Sequence, residues 1–292
     1  MKKIVAMLVG MAKKEKLLTA AGGIGLLLGG GLALYMLWFG KIILPEGNVR
    51  SASSFNAAVG LFILTIAALL PFAGMYRRQR KKVRWILFST VLISYTVETI
   101  QHLRGINPQF SQAGSVLDDV ISAFFLVTTL IIISATIWIA IAFFRNNEQK
   151  DKHTFIISIR YAFVCVMLAN ASGLWMFALQ GREIGETGNI IVLHGLGYHA
   201  LQALPLTGFL LIKSGIQDTN TRRFVHVGST AWLIMMMLVL GQTAMGLSIF
   251  ELSLFSFFIS LFLFIWFITL TCSLIKYIQH HFTYSTDTPP AP

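Results

Sequence analysis

The sequence predicts an all-α integral membrane protein, a bundle of eight transmembrane helices. Composition is the first indication, because 55% of the 292 residues are hydrophobic and only 12% are charged, about half the charged share of a soluble domain. The second is a series of eight apolar runs, each near the roughly 20 residues that cross a bilayer as a helix. The third is the gathering of basic residues in alternate loops.

The predicted elements follow these runs along the chain. The apolar stretch 4–12 is too short to span and is followed by Lys13, Lys14 and Lys16, so residues 1–16 are predicted to form a basic interfacial segment. The tail 279–292 is polar and Pro-ended, as disordered cytoplasmic ends often are. The spans between them are predicted at 17–39, 54–75, 84–103, 117–144, 155–180, 189–213, 223–247 and 252–278.

The spans are predicted to form two tandem four-helix units, 17–144 and 155–278. Short motifs recur at equivalent ends of corresponding spans: Pro71-Phe-Ala-Gly74 with Pro205-Leu-Thr-Gly208, and Gln101-x3-Gly105 with Gln242-x3-Gly246. Both units would start on the same side of the membrane, as parallel transporter repeats do. The copies are chemically unequal, because one carries Glu98, His102 and Arg104 and the other a histidine pair.

Basic residues predict the orientation. Most lie in loops on the side of the two termini, while Lys41, Arg50, Arg104 and Arg182 fall on the other side. The positive-inside rule therefore predicts that both termini face the cytoplasm. The net charge of +11 then reports topology and not nucleic-acid binding. The densest run, 76–84, is foremost a topology anchor and is also a candidate site for anionic lipids.

Span three carries the first cluster of candidate site residues. Glu98, Gln101 and His102 are at i, i+3 and i+4, so they share one helix face, and Arg104 follows within reach. Ionisable groups in a membrane span are costly and are functional-site hypotheses by default. Two interpretations stay open: an internal Glu–His or Glu–Arg pair that locks helices, and a carboxylate that handles protons or binds a ligand. Asp118 follows Ser115 by three residues, as in a capping box.

Span six carries the second cluster. His194 and His199 are at i, i+5, about 140° apart around the helix, so they do not clamp one small ion. They could be ligands of two separate sites, or one could be a ligand while the other supports that ligand from outside the site. His199 and Gln202, at i, i+3, share a face. Histidine is a common axial ligand of haem, so haem b is a candidate cofactor, with His102, His194 and His199 as ligands and Arg104 near a propionate.

Two strings in these spans carry a resemblance: Gln101-x-x-Arg104-Gly105 with Phe110, and His194-x4-His199-Ala-Leu-Gln202-x-Leu-Pro-Leu206. Over roughly 90–250 the chain resembles a family of uncharacterised bacterial multi-pass membrane proteins, which implies a bacterial inner membrane. That family repeats Gln-x-x-Arg-Gly in the later span, whereas this chain has Gln242-Thr-Ala-Met-Gly246. Two fused four-helix units with histidines are also similar in architecture to haem A synthase, whose local motifs are absent here.

Three functions are compatible with the sequence. The first is a haem-binding or redox-linked membrane protein. The second is a transporter or channel for a small solute or proton, with a path along Glu98, Gln101, His199 and Gln202. The third is an accessory or sensor protein, with a membrane-protein partner, whose polar residues only specify helix packing. Whether the protein is an enzyme stays open. Both polar segments are expected at the outer ends of spans three and six, where they could line one pocket.

Overall fold

The computed structural model describes residues 10, 14–145, 153–215 and 219–286, with side chains left out at 219–220 and 281–286. In this part of the chain, eight helices are long and apolar enough to cross a membrane. The predicted all-helical, polytopic membrane class is therefore confirmed. Most of the predicted interfacial segment 1–16 lies outside the described residues.

The chain separates into two compact units, Met1–Arg145 and Asn146–Pro292. Unit 1 contains α1 (Lys16–Phe39), β1 (Ile42–Ile43), β2 (Gly47–Asn48), α2 (Val49–Leu69, continued by a 3-10 turn Leu70–Phe72), α3 (Arg77–Leu103) and α4 (Val116–Arg145). Unit 2 contains α5 (His153–Ala178), β3 (Glu183–Ile184), β4 (Gly188–Asn189), α6 (Ile190–Lys213), α7 (Thr219–Ala244) and α8 (Leu254–Thr286). The order of elements is the same in both units. Since α8 runs to Thr286, the first part of the predicted disordered tail is helical.

Small residues allow the first two helices of each unit to pack closely. In unit 1, a Cβ on Gly22 would lie 2.8 Å from the carbonyl oxygen of Gly60, and the Ser53 hydroxyl donates to the Gly29 carbonyl at 2.8 Å. In unit 2, a Cβ on Gly197 would lie 2.6 Å from the carbonyl oxygen of Cys165. Close backbone approach through small residues is the usual way in which membrane helices associate.

A short β-hairpin joins these two helices in each unit, a feature that the sequence did not predict. The strands pair in antiparallel register, with Ile43 opposite Gly47 and Ile184 opposite Gly188. Asn48 ends the first hairpin, and its side chain accepts from the Ser51 N–H at 3.2 Å, capping α2. The second span therefore begins at Val49, earlier than the predicted residue 54.

A buried charge cluster fixes the end of unit 1 at which α1 and α3 begin. The Glu15 side chain is fully buried, and its carboxylate accepts from Nε of Arg80 and, at 2.6 Å, from Nε of Arg84. A buried carboxylate needs such partners. Two arginines of the basic run 76–84 thus form ion pairs with the buried Glu15. The other basic residues of the run that are exposed are Arg77, Arg78, Lys81 and Lys82.

Candidate functional site

The Glu98–His102 pair of span three is buried at the end of α3. The backbone N–H of Asn48 donates to Nδ1 of His102 at 3.1 Å, so Nδ1 holds the lone pair of the ring. The proton is therefore on Nε2, which lies 3.3 Å from Oε1 of Glu98. The Gln109 amide approaches Oε2 of Glu98 at 3.4 Å. Both ring nitrogens of His102 thus face partners within unit 1.

Asp118 accepts hydrogen bonds from three further polar residues at this end of α3, which are Gln101, Arg104 and Ser115. The Gln101 amide and the Arg104 guanidinium both donate to its Oδ1, at 3.0 Å and 2.9 Å. Its Oδ2 accepts from the backbone N–H and the hydroxyl of Ser115, at 2.9 Å and 2.8 Å. Arg104 also donates to the Gln101 side-chain oxygen. Asp118 therefore combines the predicted capping contact with a tie between α3 and α4.

Glu46, at the tip of the first hairpin, holds the loop between α3 and α4. Its carboxylate accepts from the Ser111 hydroxyl at 2.6 Å and from the backbone N–H groups of Gln112 and Ala113, at 2.8 Å and 3.1 Å. The Ser111 hydroxyl bond, helped by these N–H groups, lowers the pKa of Glu46 below its ordinary value. The charged form of Glu46 therefore stabilises the loop.

The hairpin lies directly on the end of α3. A Cβ on Gly47 would lie 2.3 Å from the His102 carbonyl oxygen, and one on Gly105, which has a φ of +83°, would lie 2.2 Å from the Leu44 carbonyl oxygen. The Glu46 N–H donates to the Gly105 carbonyl at 2.8 Å. Only glycine permits this contact of backbone on backbone. It brings the Asn48 N–H to His102.

The residues joined at this end are named the outer network, after the side of the membrane on which the sequence predicts them: Asn48, Glu98, Gln101, His102, Arg104, Gln109, Ser115 and Asp118. It brings together four residues selected from the sequence, Glu98, Gln101, His102 and Arg104. The choice of His102 as a haem ligand conflicts with this geometry, because iron at either nitrogen would displace the Asn48 N–H or the Glu98 carboxylate. Sequence spacing could not reveal this, since Asn48 lies 54 residues away.

His194 of span six has a different environment. Its Nδ1 lies 2.9 Å from the Ala169 carbonyl oxygen and 3.3 Å from the Ser172 hydroxyl. The carbonyl can only accept, so Nδ1 carries the proton and Nε2 the lone pair. The ring abuts Gly173, where a Cβ would lie 3.0 Å from Cε1. It also meets the Tyr198 ring edge-on at 5.0 Å between centroids.

His199 and Gln202 come together as the spacing predicted. Nδ1 of His199 lies 3.3 Å from the side-chain oxygen of Gln202. That oxygen is an acceptor, so Nδ1 again carries the proton. The His199 side chain is exposed, whereas His194 is half-buried. The i, i+5 spacing places His194 on a different side of the helix from His199.

A small apolar cavity lies in unit 2 beside Ser172, the residue whose hydroxyl contacts His194. Its volume is about 100 Å³, and it is lined by Leu168, Ala171, Ser172, Trp175, Leu193, Met236 and Leu240. Ser172 donates to the Ala169 carbonyl at 2.7 Å, the same oxygen that accepts from His194. The hydroxyl thus joins the histidine to the cavity wall.

Sequence reasoning missed a repeated motif that marks the hairpins. Gly-[Lys/Arg]-x-Ile-x3-Gly-Asn-[Val/Ile] occurs at 40–49 and again at 181–190, which is 141 positions later. The same hydrogen bond closes both copies, from Val49 N–H to Lys41 O at 2.9 Å and from Ile190 N–H to Arg182 O at 2.8 Å. Gln101-x3-Gly105 and Gln242-x3-Gly246 have the same separation. The motif could have located Asn48, the partner of His102.

Comparisons with protein-family models, with curated proteins and with solved structures give no match for this chain. Within the described residues, no three or more His, Cys, Asp and Glu side chains form a group that could hold a metal ion. The site must therefore be interpreted from its own hydrogen bonds.

Proposed function

We propose that this chain is a haem-binding membrane protein in which span six supplies the ligand and His194 is the ligand residue. Haem requires only one or two side chains from the protein, because the porphyrin provides the other four nitrogens. A single well-oriented histidine in an apolar helix is therefore compatible with haem.

One observation carries the proposal, the hydrogen bond from Nδ1 of His194 to the Ala169 carbonyl at 2.9 Å. Histidines that bind a metal usually donate their other ring N–H to a carbonyl, carboxylate or water, which fixes both tautomer and ring orientation. His194 has this arrangement with Nε2 left as the electron-pair donor. His199 has the same tautomer through Gln202 and is the second candidate.

The outer network has a structural role in this proposal. Its donors and acceptors engage one another across the hairpin, α3 and α4, as the accessory-protein alternative expected of residues that specify packing. A transporter or proton channel is the second candidate, because the Glu98 face of α3 also carries the buried hydroxyl groups of Ser94 and Tyr95. Val91 and Leu87, further along the same face, are fully buried and apolar.

We also propose the membrane setting that the basic residues favour, a bacterial inner membrane with both termini in the cytoplasm. The exposed residues Arg77, Arg78, Lys81 and Lys82 would then face anionic lipid headgroups. Tyr76 and Trp85, which flank them and are exposed, fit the aromatic belt of a membrane interface. The repeated hairpin motif and the identical order of elements support an origin of the two units by tandem duplication.

An absorption spectrum tests the haem proposal. The full chain, expressed with haem precursor and purified in mild detergent, should show a Soret band and release haem b on extraction. His194→Ala should remove the band. Gly195→Ala is the matched control, since a Cβ there meets nothing within 4 Å. A colourless wild type, or a band lost in His199→Ala but kept in His194→Ala, would overturn the assignment of His194.

A further inference from the structure

The hairpin end of unit 2 repeats the backbone arrangement of the hairpin end of unit 1. With the 141-residue separation of the repeated motif, Asn189 corresponds to Asn48 and Thr243 corresponds to His102. A Cβ on Gly188 would lie 2.9 Å from the Thr243 carbonyl oxygen, so the second hairpin packs on the end of α7 as the first packs on the end of α3. Position 243 therefore takes the place of the histidine against the hairpin.

The backbone N–H of Asn189 is directed away from its own hairpin. Asn189 lies opposite Glu183 in the two-stranded register, and the next pair is closed by the bond from Ile190 N–H to Arg182 O at 2.8 Å. Hydrogen-bonded and non-bonded pairs alternate in an antiparallel ladder, so the Asn189 N–H points away from the partner strand. In unit 1 the equivalent N–H donates to Nδ1 of His102 at 3.1 Å. The Asn189 N–H is therefore directed toward the residue that replaces the histidine.

Thr243 cannot accept this bond in the way that His102 does. Within the same backbone arrangement, the shorter threonine side chain does not extend to the position of the imidazole ring. The Thr243 hydroxyl is fully buried and has no hydrogen-bond partner among the described residues, which include all of 179–194 and 239–257 at this end. A buried polar group without a partner is costly, and in folded proteins ordered water commonly satisfies such groups.

We propose that unit 2 binds a buried water molecule in the position that the His102 imidazole takes in unit 1. The water accepts from the Asn189 N–H and donates to the Thr243 hydroxyl oxygen. A buried water needs about two to four polar partners, and the side-chain oxygen of Gln242 is a further buried acceptor at this end that no described residue satisfies. The N–H donor argues against a metal cation and the oxygen acceptors argue against an anion, whereas water both donates and accepts.

A structure of the full chain in detergent, at a resolution that shows ordered waters, tests the site directly. It should show a density peak about 2.7–3.2 Å from both the Asn189 nitrogen and Oγ1 of Thr243. The absence of a peak, or a direct bond between these two atoms, would overturn the proposal. A peak that disappears when choline replaces sodium in the buffer would identify a cation and would also overturn it.

Thr243→Val tests the energetic role of the water, because valine keeps the shape of threonine and removes the hydroxyl. The thermal midpoint should fall by about 2–10 °C, since the water loses a partner and the Asn189 N–H loses the water. Thr96→Val is the matched control and should change the midpoint little, because the Thr96 side chain is exposed and its hydroxyl donates to the Leu92 carbonyl of its own helix at 2.9 Å.

An unchanged or higher midpoint in Thr243→Val would show that the hydroxyl has no partner in the folded protein, and would refute the water site. If Thr243→Val does not fold, the density of the wild type still decides, because that measurement needs no variant. Neither readout depends on haem, so failure of the water site and failure of the His194 assignment are distinguishable.

Discussion

Replacing His102 by alanine tests whether the outer network holds unit 1 together. The imidazole accepts from the Asn48 N–H at 3.1 Å and faces Glu98 at 3.3 Å, with both side chains at most 3% exposed. His102→Ala would leave a backbone donor without its acceptor and a buried carboxylate without its nearest donor. The hairpin would also lose its bond to the end of α3.

The expected loss follows from these groups. A buried hydrogen-bonding group left without a partner costs about 1–3 kcal/mol, and a charged group costs more. The void left by the ring adds about 1 kcal/mol. The free energy of unfolding should therefore fall by about 3–6 kcal/mol. For a unit of this size, the thermal midpoint should fall by about 10 °C.

Thermal unfolding in detergent, followed by tryptophan fluorescence, measures this change. Glu98→Gln is the matched control, because the amide oxygen still accepts from Nε2 of His102. Its cost should stay near 1 kcal/mol. If His102→Ala is no less stable than Glu98→Gln, the outer network does not stabilise the fold in the way described. A loss of the Soret band from folded His102→Ala would show instead that His102 takes part in cofactor binding.

Two further predictions concern the first hairpin. Gly47→Ala places a Cβ 2.3 Å from the His102 carbonyl oxygen, whereas a Cβ at Gly30 meets nothing within 4 Å. Thermal unfolding should therefore show that Gly47→Ala is destabilised by about 1–3 kcal/mol and that Gly30→Ala is unchanged or more stable. Equal stability of the two variants would contradict the contact between the hairpin and α3. Glu46 has a lowered pKa in the folded protein, so its contribution to stability is present above its ordinary value of 4.5 and is lost as the pH falls through the folded value. The stability difference between wild type and Glu46→Gln should therefore be constant above about pH 5 and shrink in acid, and a difference that grows in acid would refute this sign.

The membrane architecture could be predicted from the sequence because it depends on local properties. Apolar runs and helix length decide the number of spans without knowledge of packing. The i, i+3 and i+4 spacing of Glu98, Gln101 and His102 likewise predicted their common face, since helix geometry fixes it. The His199–Gln202 contact was predictable for the same reason.

The partners that decide the chemistry could not be predicted in this way. Whether His102 offers Nδ1 or Nε2 depends on the Asn48 N–H, which a hairpin distant in sequence brings to the ring. The tautomer of His194 depends on a carbonyl of the preceding helix. In the sequence, Glu15 is a single acidic residue among lysines, and only the structure shows that it contacts Arg80 and Arg84. Helix periodicity cannot predict these contacts, because each of them joins two separate elements of the fold.

The tautomer of His194 is the basis of the proposed function, and the visible spectrum of a matched pair of variants tests it most directly. Wild type and His102→Gln, purified after expression with haem precursor, should show a Soret band of equal height per folded chain. His194→Ala, folded and at the same concentration, should show none. A band of unchanged height in His194→Ala, or no band in any of the three proteins, would contradict a haem site at span six.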